Sequence, residues 1–255
     1  MIHILNTYEK FAFIYDELID DIDYEKWGNF INKIILDHGK KVKSILEIAC
    51  GTGKLTLQLS KICQEIDAFD ISADMLSIAY NKFQDNDYVN FYNLDMVDFD
   101  FNKEYDLIIC GCDSINYILD TDDLDKVFSN VRKHLKDDGL FIFDINSYEK
   151  IANMIGNNIF YEDRGDIFYL WDSSFDKNND ICDYFLTFFI LKGNSSYEKF
   201  QENHTQRAYK TDFICEKLVN NGFDRVYMYD DYTFKQIDKD TQRVTFVASI
   251  SNAKE

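Results

Sequence analysis

Proline is absent from all 255 residues, while tyrosine and phenylalanine are plentiful at 17 and 22 copies. Together with abundant Asn, Ile and Lys this reads as a codon bias toward A and T, which describes a genome and excludes nothing at a site. The shortage of basic residues says more. Against 46 Asp and Glu stand only 27 Lys and Arg, a formal charge of −19. Such a surface repels a phosphate backbone and has no counterion release to drive association, so DNA, long RNA and anionic membranes are poor partners. Short structured RNA is disfavoured on the same ground, although a small basic pocket can sit beneath a negative surface.

Also missing are a positively charged start leading into an apolar segment and any apolar run near the ~20 residues of a membrane helix. The expectation is a cytoplasmic protein without a membrane partner, a monomer or homodimer. Six cysteines (Cys50, Cys63, Cys110, Cys112, Cys182, Cys215) without such a leader read as reduced thiols rather than a disulfide framework. Cys110-Gly111-Cys112 has no second Cys/His cluster beside it, and the four histidines are scattered, so no metal is expected.

What is present is enough apolar residue, 46%, to build a core, and a clear order of elements. Apolar positions at helical spacing from about Tyr8 to His38 predict two helices ending at Gly39. Strand and helix patterns then alternate: strand 42–49, helix 54–63, strand 65–70, helix 73–83, strand 89–94, strand 105–110, helix 121–135, a turn at Asp137-Asp138-Gly139 and strand 140–145. Such alternation predicts a parallel sheet with right-handed crossovers. From Phe160 to Tyr209 aromatic, alternating runs (167–171, 181–191, 197–206) separated by turn residues predict an antiparallel β-cap. A helix over 211–220 and strands over 224–231 and 242–250 finish the chain. The expected organisation is a helical lid (1–40), an α/β, Rossmann-like domain (41–150 and 211–255) and an inserted cap (151–210).

The run from Ser44 to Gly53 reads as a buried strand entering a glycine turn, the place where an α/β sheet exposes backbone to a ligand. Gly51-Thr52-Gly53 fills two positions of a dinucleotide fingerprint, but Thr56 stands where the third glycine belongs, which argues against pyrophosphate. Glu47, four residues before Gly51, suits an ammonium group, and Asp70 at the next strand's end can accept both hydroxyls of a ribose.

Leu46 to Gly53, then Asp70-Ile71-Ser72-Ala73-Asp74-Met75-Leu76, then Asp95-Met96, resembles the class I S-adenosylmethionine-dependent methyltransferases over about residues 43–146. The resemblance implies a seven-stranded sheet with the last strand antiparallel. It also implies that Glu47, Gly51 and Gly53 hold the methionine part of the donor, Asp70 its ribose, and Ile71, Met75, Asp95 and Met96 its adenine. Ala49 stands where many members have glycine, and Tyr15 and Cys112 complete the expected donor contacts. The product would be S-adenosylhomocysteine, with no metal required.

Transfer from an activated sulfonium is an in-line displacement, so the protein must position, desolvate and, where needed, deprotonate the acceptor. Tyr8 and Tyr15 lie in a segment resembling the family's lid helix. Asp113 and Tyr117 follow the fourth strand, where a base can reach the acceptor. In the cap, alternation puts Glu202, His204 and Gln206 on one face and Asn203, Thr205 and Arg207 on the other. Tyr8, Asp113, Tyr117 and His204 are the candidate catalytic residues, with Arg207 a further candidate substrate contact. A small-molecule acceptor is expected, nitrogen favoured over oxygen because acids and tyrosines dominate these segments. The alternatives are an NAD(P)-binding oxidoreductase on a similar sheet and a methyltransferase-like module that binds RNA.

Overall fold

The computed structural model describes residues 12–18, 22–193 and 196–250. The chain enters through two helices, α1 (Ala12–Leu18) and α2 (Tyr24–Asp37). Helix α2 forms because Trp27, Phe30, Ile31, Ile34 and Ile35 recur at helical spacing and bury one stripe. Its start is capped by the Asp23 carboxylate, which accepts from the Lys26 N–H at 2.8 Å. There follow β1 (Ile45–Ile48), α3 (Lys54–Leu59), β2 (Ile66–Asp70), α4 (Ala73–Lys82), β3 (Val89–Asn93), β4 (Tyr105–Cys110), α5 (Thr121–His134) and β5 (Leu135–Asn146). Strands β1 and β2 are buried along their whole length, as parallel strands covered by helices on both faces must be.

A π-helical turn (Lys150–Ile155) leads into β6 (Ile159–Asp163), β7 (Ile167–Asp176), β8 (Ile181–Lys192) and β9 (Ser196–Arg207), and α6 (Thr211–Asn220), β10 (Arg225–Asp230) and β11 (Arg243–Ser249) follow. The larger sheet has the order β10-β11-β5-β4-β1-β2-β3, parallel throughout except for β11, which runs antiparallel to both neighbours. It is the seven-stranded, mostly parallel, Rossmann-like sheet expected. The smaller sheet is antiparallel, in the order β6-β7-β8-β9. Because β11 is reversed, its first residue, Arg243, pairs with Asn146, the last of β5. The start of β11 therefore lies at the carboxyl edge of the parallel strands, where an α/β sheet places its ligands.

Alternation along β5 divides the interior. Phe141 and Phe143 point into the layer with Phe128, Phe223 and Phe246, whereas Leu140 and Ile142 face Trp27, Ile31 and Leu55. The rings of Phe143 and Phe246 stack at 4.8 Å across the β5–β11 pair. Each fully buried side chain of this size contributes about 1.5–3 kcal/mol.

One local expectation is corrected, and two elements are added that no expectation named. Residues 137–139 form no separate turn: β4 pairs Tyr105 with Leu135 and then Leu107 with Leu140, so 136–139 bulge out beside Asp106, where Lys136 Nζ meets its carboxylate at 2.8 Å. The cap has a fourth strand, β6, a short edge strand with little alternating burial to announce it. The π-helical turn, which buries Ile151, Ala152 and Ile155, departs from the 3.6-residue period and left no readable pattern. All six cysteines are unpaired. Among the described residues no helix is long and apolar enough to cross a membrane.

Candidate active site

Strand β1 runs into a turn in which Ala49 (φ 54°), Gly51 (φ 54°) and Gly53 (φ 79°) all occupy the left-handed region. A Cβ on Gly51 would meet no atom within 4 Å, because that side of the turn opens into a cavity of about 330 Å³, here the turn cavity. Ala49 takes the same conformation at a cost of about 1–2 kcal/mol relative to right-handed backbone. The turn is tied to β2 by Asp70, whose Oδ2 accepts from the Gly51 N–H and whose Oδ1 accepts from the Ser72 N–H, both at 2.8 Å. Burial raises Asp70 above the ordinary carboxylate value, and these N–H donors offset part of the rise. The N-cap of α4 is Ser72, which leaves Asp70 to face the cavity.

Glu47 projects from β1 into the same cavity and is only 2% exposed. Its Oε2 is buried without a hydrogen-bond partner among the described residues. Burial pushes Glu47 up to about 8; the nearby Thr56 hydroxyl opposes the shift and Asp70 adds to it. An orphaned carboxyl oxygen beside a backbone turn open at Gly51 fits a ligand carrying an ammonium group, as the methionine end of S-adenosylmethionine does. Ala49, Ile71, Met75 and Met96 line the turn cavity with Tyr15, Cys112 and Tyr117. Asp95 lies on an adjoining cavity of about 400 Å³ that shares Ala49, Asp70, Ile71, Met96 and Tyr117. Gly53 is not among the lining residues of either. It caps α3, and a Cβ there would press on Phe83 and Ala79 at 3.2 and 3.3 Å, so its observed role is packing.

At the end of β4, Gly111 is required by close approach: a Cβ would stand 2.2 Å from the Trp27 indole. Cys112 (φ 56°) and Asp113 (φ 50°) follow in left-handed backbone, two strained non-glycine residues in succession, before a 3₁₀ turn over Ser114–Tyr117. The strain is held by the Asp113 N–H donating to Asp144 at 3.1 Å and the Ser114 hydroxyl donating to the Gly111 carbonyl at 2.6 Å. Burial pushes the Cys112 thiol far above its ordinary value, so it serves as wall rather than nucleophile.

A second cavity, about 190 Å³, lies under the small sheet. Tyr169, Trp171, Tyr184 and Phe188 give it an aromatic roof, Leu18 and Ile22 a side, and Asp113 and Arg243 a floor. This cap cavity and the turn cavity meet at Tyr15, Cys112 and Tyr117, which line both. Asp113 Oδ1 accepts from Arg243 Nη2 at 3.0 Å and Oδ2 from Gln206 Nε2 at 2.8 Å. With one oxygen on Arg243 and the other on Gln206, the Asp113 carboxylate is held in place at the floor of the cavity. Arg243 also contacts Asp144. Burial opposes its charge, but Asp144, Tyr232 and Asp113 outweigh that and hold the guanidinium protonated. For Asp144, burial raises the carboxyl above its ordinary value and Arg243 partly restores it.

Tyr117 Oη lies 3.2 Å from His204 Nδ1, and His204 Nε2 lies 3.4 Å from Glu202 Oε2. Residues read separately from the loop and the cap thus come together. Arg207 does not join them: its guanidinium donates to the carbonyls of Leu119 (2.6 Å) and Asn179 (3.0 Å). Helix α1 is fastened over the turn by Asp16, which accepts from the Thr52 hydroxyl at 2.6 Å and pairs with Lys82, while Lys54 Nζ donates to its carbonyl at 2.8 Å. Tyr8 lies outside the described residues. The reading of the sequence missed Arg243 and Asp144; the one available signal was that a reversed final strand must begin at the ligand edge of the sheet. Among the described residues no three His, Cys, Asp or Glu side chains converge as a metal site.

This fold and this pair of joined cavities define a class I S-adenosylmethionine-dependent methyltransferase, and the comparisons agree: residues 45–139 match a family model described as a methyltransferase domain. The chain belongs to that family. It is 31% identical over 244 residues to a protein of Geobacillus sp. (strain WCH70) that carries a methyltransferase name, covering 95% of this chain and 99% of that one. It is also similar to the crystal structure of an S-adenosylmethionine-dependent methyltransferase from Clostridium acetobutylicum ATCC 824, with TM-score 0.89, 39% identity and coverage of 97% and 100% of the two chains. A more distant relative is the dTDP-3-amino-3,6-dideoxy-alpha-D-glucopyranose N,N-dimethyltransferase of Streptomyces fradiae, 26% identical over 122 residues, 48% of this chain and 47% of that one. The oxidoreductase alternative is set aside with this membership.

Proposed function

We propose that this chain transfers the methyl group of S-adenosylmethionine to the nitrogen of a small-molecule amine. The observation that carries the reading is the meeting of the turn cavity and the cap cavity at Tyr15, Cys112 and Tyr117. In it Glu47, Ala49 and Gly51 hold the donor's methionine end, Asp70 its ribose, and Ile71, Met75, Asp95 and Met96 the adenine side. The bound donor supplies a methyl group on a positively charged sulfur. Tyr15 and Cys112 narrow the junction and exclude water, so that an acceptor in the cap cavity meets the methyl group in line at about 3 Å. Helix α1 acts as the lid and residues 151–210 as the cap.

Nitrogen is favoured by the character of the cap cavity. Aromatic faces attract a cationic amine, and the two cations among its lining residues are engaged, Arg243 by Asp113 and Asp144 and Lys150 by Asn146 Oδ1 at 2.9 Å. The N,N-dimethyltransferase relative acts on an aminosugar, which is consistent with an amine here.

The test has two arms. Calorimetry with S-adenosylhomocysteine is expected to show one site per chain, weakened about tenfold or more by Asp70→Ala, which deletes two charge-assisted hydrogen bonds; absence of binding overturns the donor assignment. Donor labelled in its methyl group, offered with separate pools of amines, hydroxy acids and sugars lacking nitrogen, is expected to label the amine pool. Label in an oxygen pool alone overturns nitrogen as the acceptor.

A further inference from the structure

Glu202 is a fully buried carboxylate on β9, two residues from His204 and on the same face. A carboxylate in such a place is costly unless something nearby uses its charge. Its Oε2 stands 3.4 Å from His204 Nε2, within ion-pair range but out of hydrogen-bond alignment, so that it acts on the ring through its charge, on the far side of the imidazole from Tyr117, whose hydroxyl is 3.2 Å from Nδ1. The rings of Tyr117 and His204 meet edge to face, with centroids 6.0 Å apart. Tyr117 lines both cavities; His204 lines only the cap cavity; Glu202 lines neither. The three therefore run in a line from the junction into the interior of the cap.

We propose that Glu202 is a positioning residue that keeps the His204 proton on Nε2, so that Nδ1 accepts the Tyr117 hydroxyl and a proton from the acceptor amine leaves the junction through Tyr117 to His204. This rests on the amine reading given above. An acceptor entering as R–NH3⁺ gives one proton to Tyr117 Oη as the tyrosine's own proton passes to His204 Nδ1. The freed nitrogen lone pair forms the N–C bond while the C–S electron pair leaves with sulfur. The methylated amine carries the positive charge formerly on sulfur, and His204 carries the proton, its imidazolium facing Glu202. Charge and protons balance without another reactant. The arrangement moves the proton away from the sulfonium, whose charge repels it.

Nitrogen-15 NMR of histidine-labelled protein tests the positioning without needing the acceptor. With the His204 signal assigned by its loss in His204→Gln, the expected wild-type spectrum shows the tautomer protonated at Nε2. In Glu202→Gln the signal is expected to shift toward a mixture of tautomers, and in Tyr117→Phe the Nδ1 resonance to move while Nε2 stays protonated. A wild-type His204 protonated at Nδ1, or a spectrum unchanged in both variants, overturns the proposal. In the kinetic arm, methyl transfer to the amine pool is expected to fall about 10²-fold or more in Glu202→Gln, the scale of general-base catalysis. Affinity for S-adenosylhomocysteine is expected to stay within about twofold, and Glu202→Gln/His204→Gln to lose no more than His204→Gln alone, because groups acting as a unit are non-additive. Unchanged turnover in Glu202→Gln overturns the proposal, and so does equal loss of turnover and donor affinity. A pool that is never methylated overturns the amine reading, and with it the proton path, while the spectra still decide the tautomer.

Discussion

Glu47 shows how much chemistry one buried side chain can carry. Its carboxyl is lifted to about 8 chiefly by burial, so near pH 6.5 the free protein holds it protonated. An ammonium placed beside Oε2 favours the carboxylate, and ligand binding at that pH must then release a proton. Calorimetry with S-adenosylhomocysteine in buffers of different ionisation enthalpy is expected to show that release, and Glu47→Gln to abolish it and weaken binding. The same shift acts on stability. A raised carboxyl favours folding while protonated, a contribution in place below the ordinary glutamate value and lost as pH rises through about 8. Glu47→Gln is expected to flatten that decline in denaturant unfolding measured between about pH 5 and pH 9; an unchanged slope would show that Glu47 is not its source. Ala49 belongs at this scale too: its left-handed backbone (φ 54°) is one that glycine adopts without the steric cost of a Cβ.

Between elements, contacts at the carboxyl edge decide how helices and strands seat. Gly111 lets α2 press Trp27 onto the end of β4, and Trp27 in turn stacks on Tyr232 at 4.4 Å, in the segment leading to β11. Gly111→Ala is expected to destabilise by about 1–3 kcal/mol through overpacking. In a Trp27→Leu background the same substitution is expected to cost less, because the 2.2 Å approach to Trp27 is removed and only the 3.0 Å approach to Leu55 remains. Urea unfolding of the four proteins checks it; equal costs in both backgrounds would locate the clash elsewhere. Helix α1 shows a second kind of coupling: Asp16 fastens it to the turn, while Tyr15 and Leu18 pack with Ile167, Phe188 and Phe200 of the cap. It touches both sides of the joined cavities.

For the molecule as a whole, a formal charge of −19 means net self-repulsion in the compact state. Raising salt from about 0.01 to about 0.15 M shortens the Debye length from about 30 to about 8 Å. The melting temperature is expected to rise over that range in differential scanning calorimetry; a fall would show that attractive ion pairs, not repulsion, dominate. The same charge complements a cationic acceptor, whose approach it would favour most at low salt.

The strand-to-turn run from Ser44 to Gly53, the spacing to Asp70, the helix stripes and the sheet's order of elements were legible in the sequence because backbone periodicity, glycine conformation and βα alternation are local properties. The edge strand β6, the bulge at 136–139 and the π-helical turn were not, since each arises where neighbouring strands or packing override the local pattern. The sequence by itself determined the fold class and the family. Only the tertiary structure decided that Tyr117, His204 and Glu202 form one line, that Asp113 is committed to Arg243 and Gln206, and that a reversed last strand delivers Arg243 to the site. The contacts of Tyr117 with His204 and of Asp113 with Gln206 and Arg243 join residues 87 to 130 positions apart, and such pairings follow from sheet topology and cap placement, which no window of sequence contains.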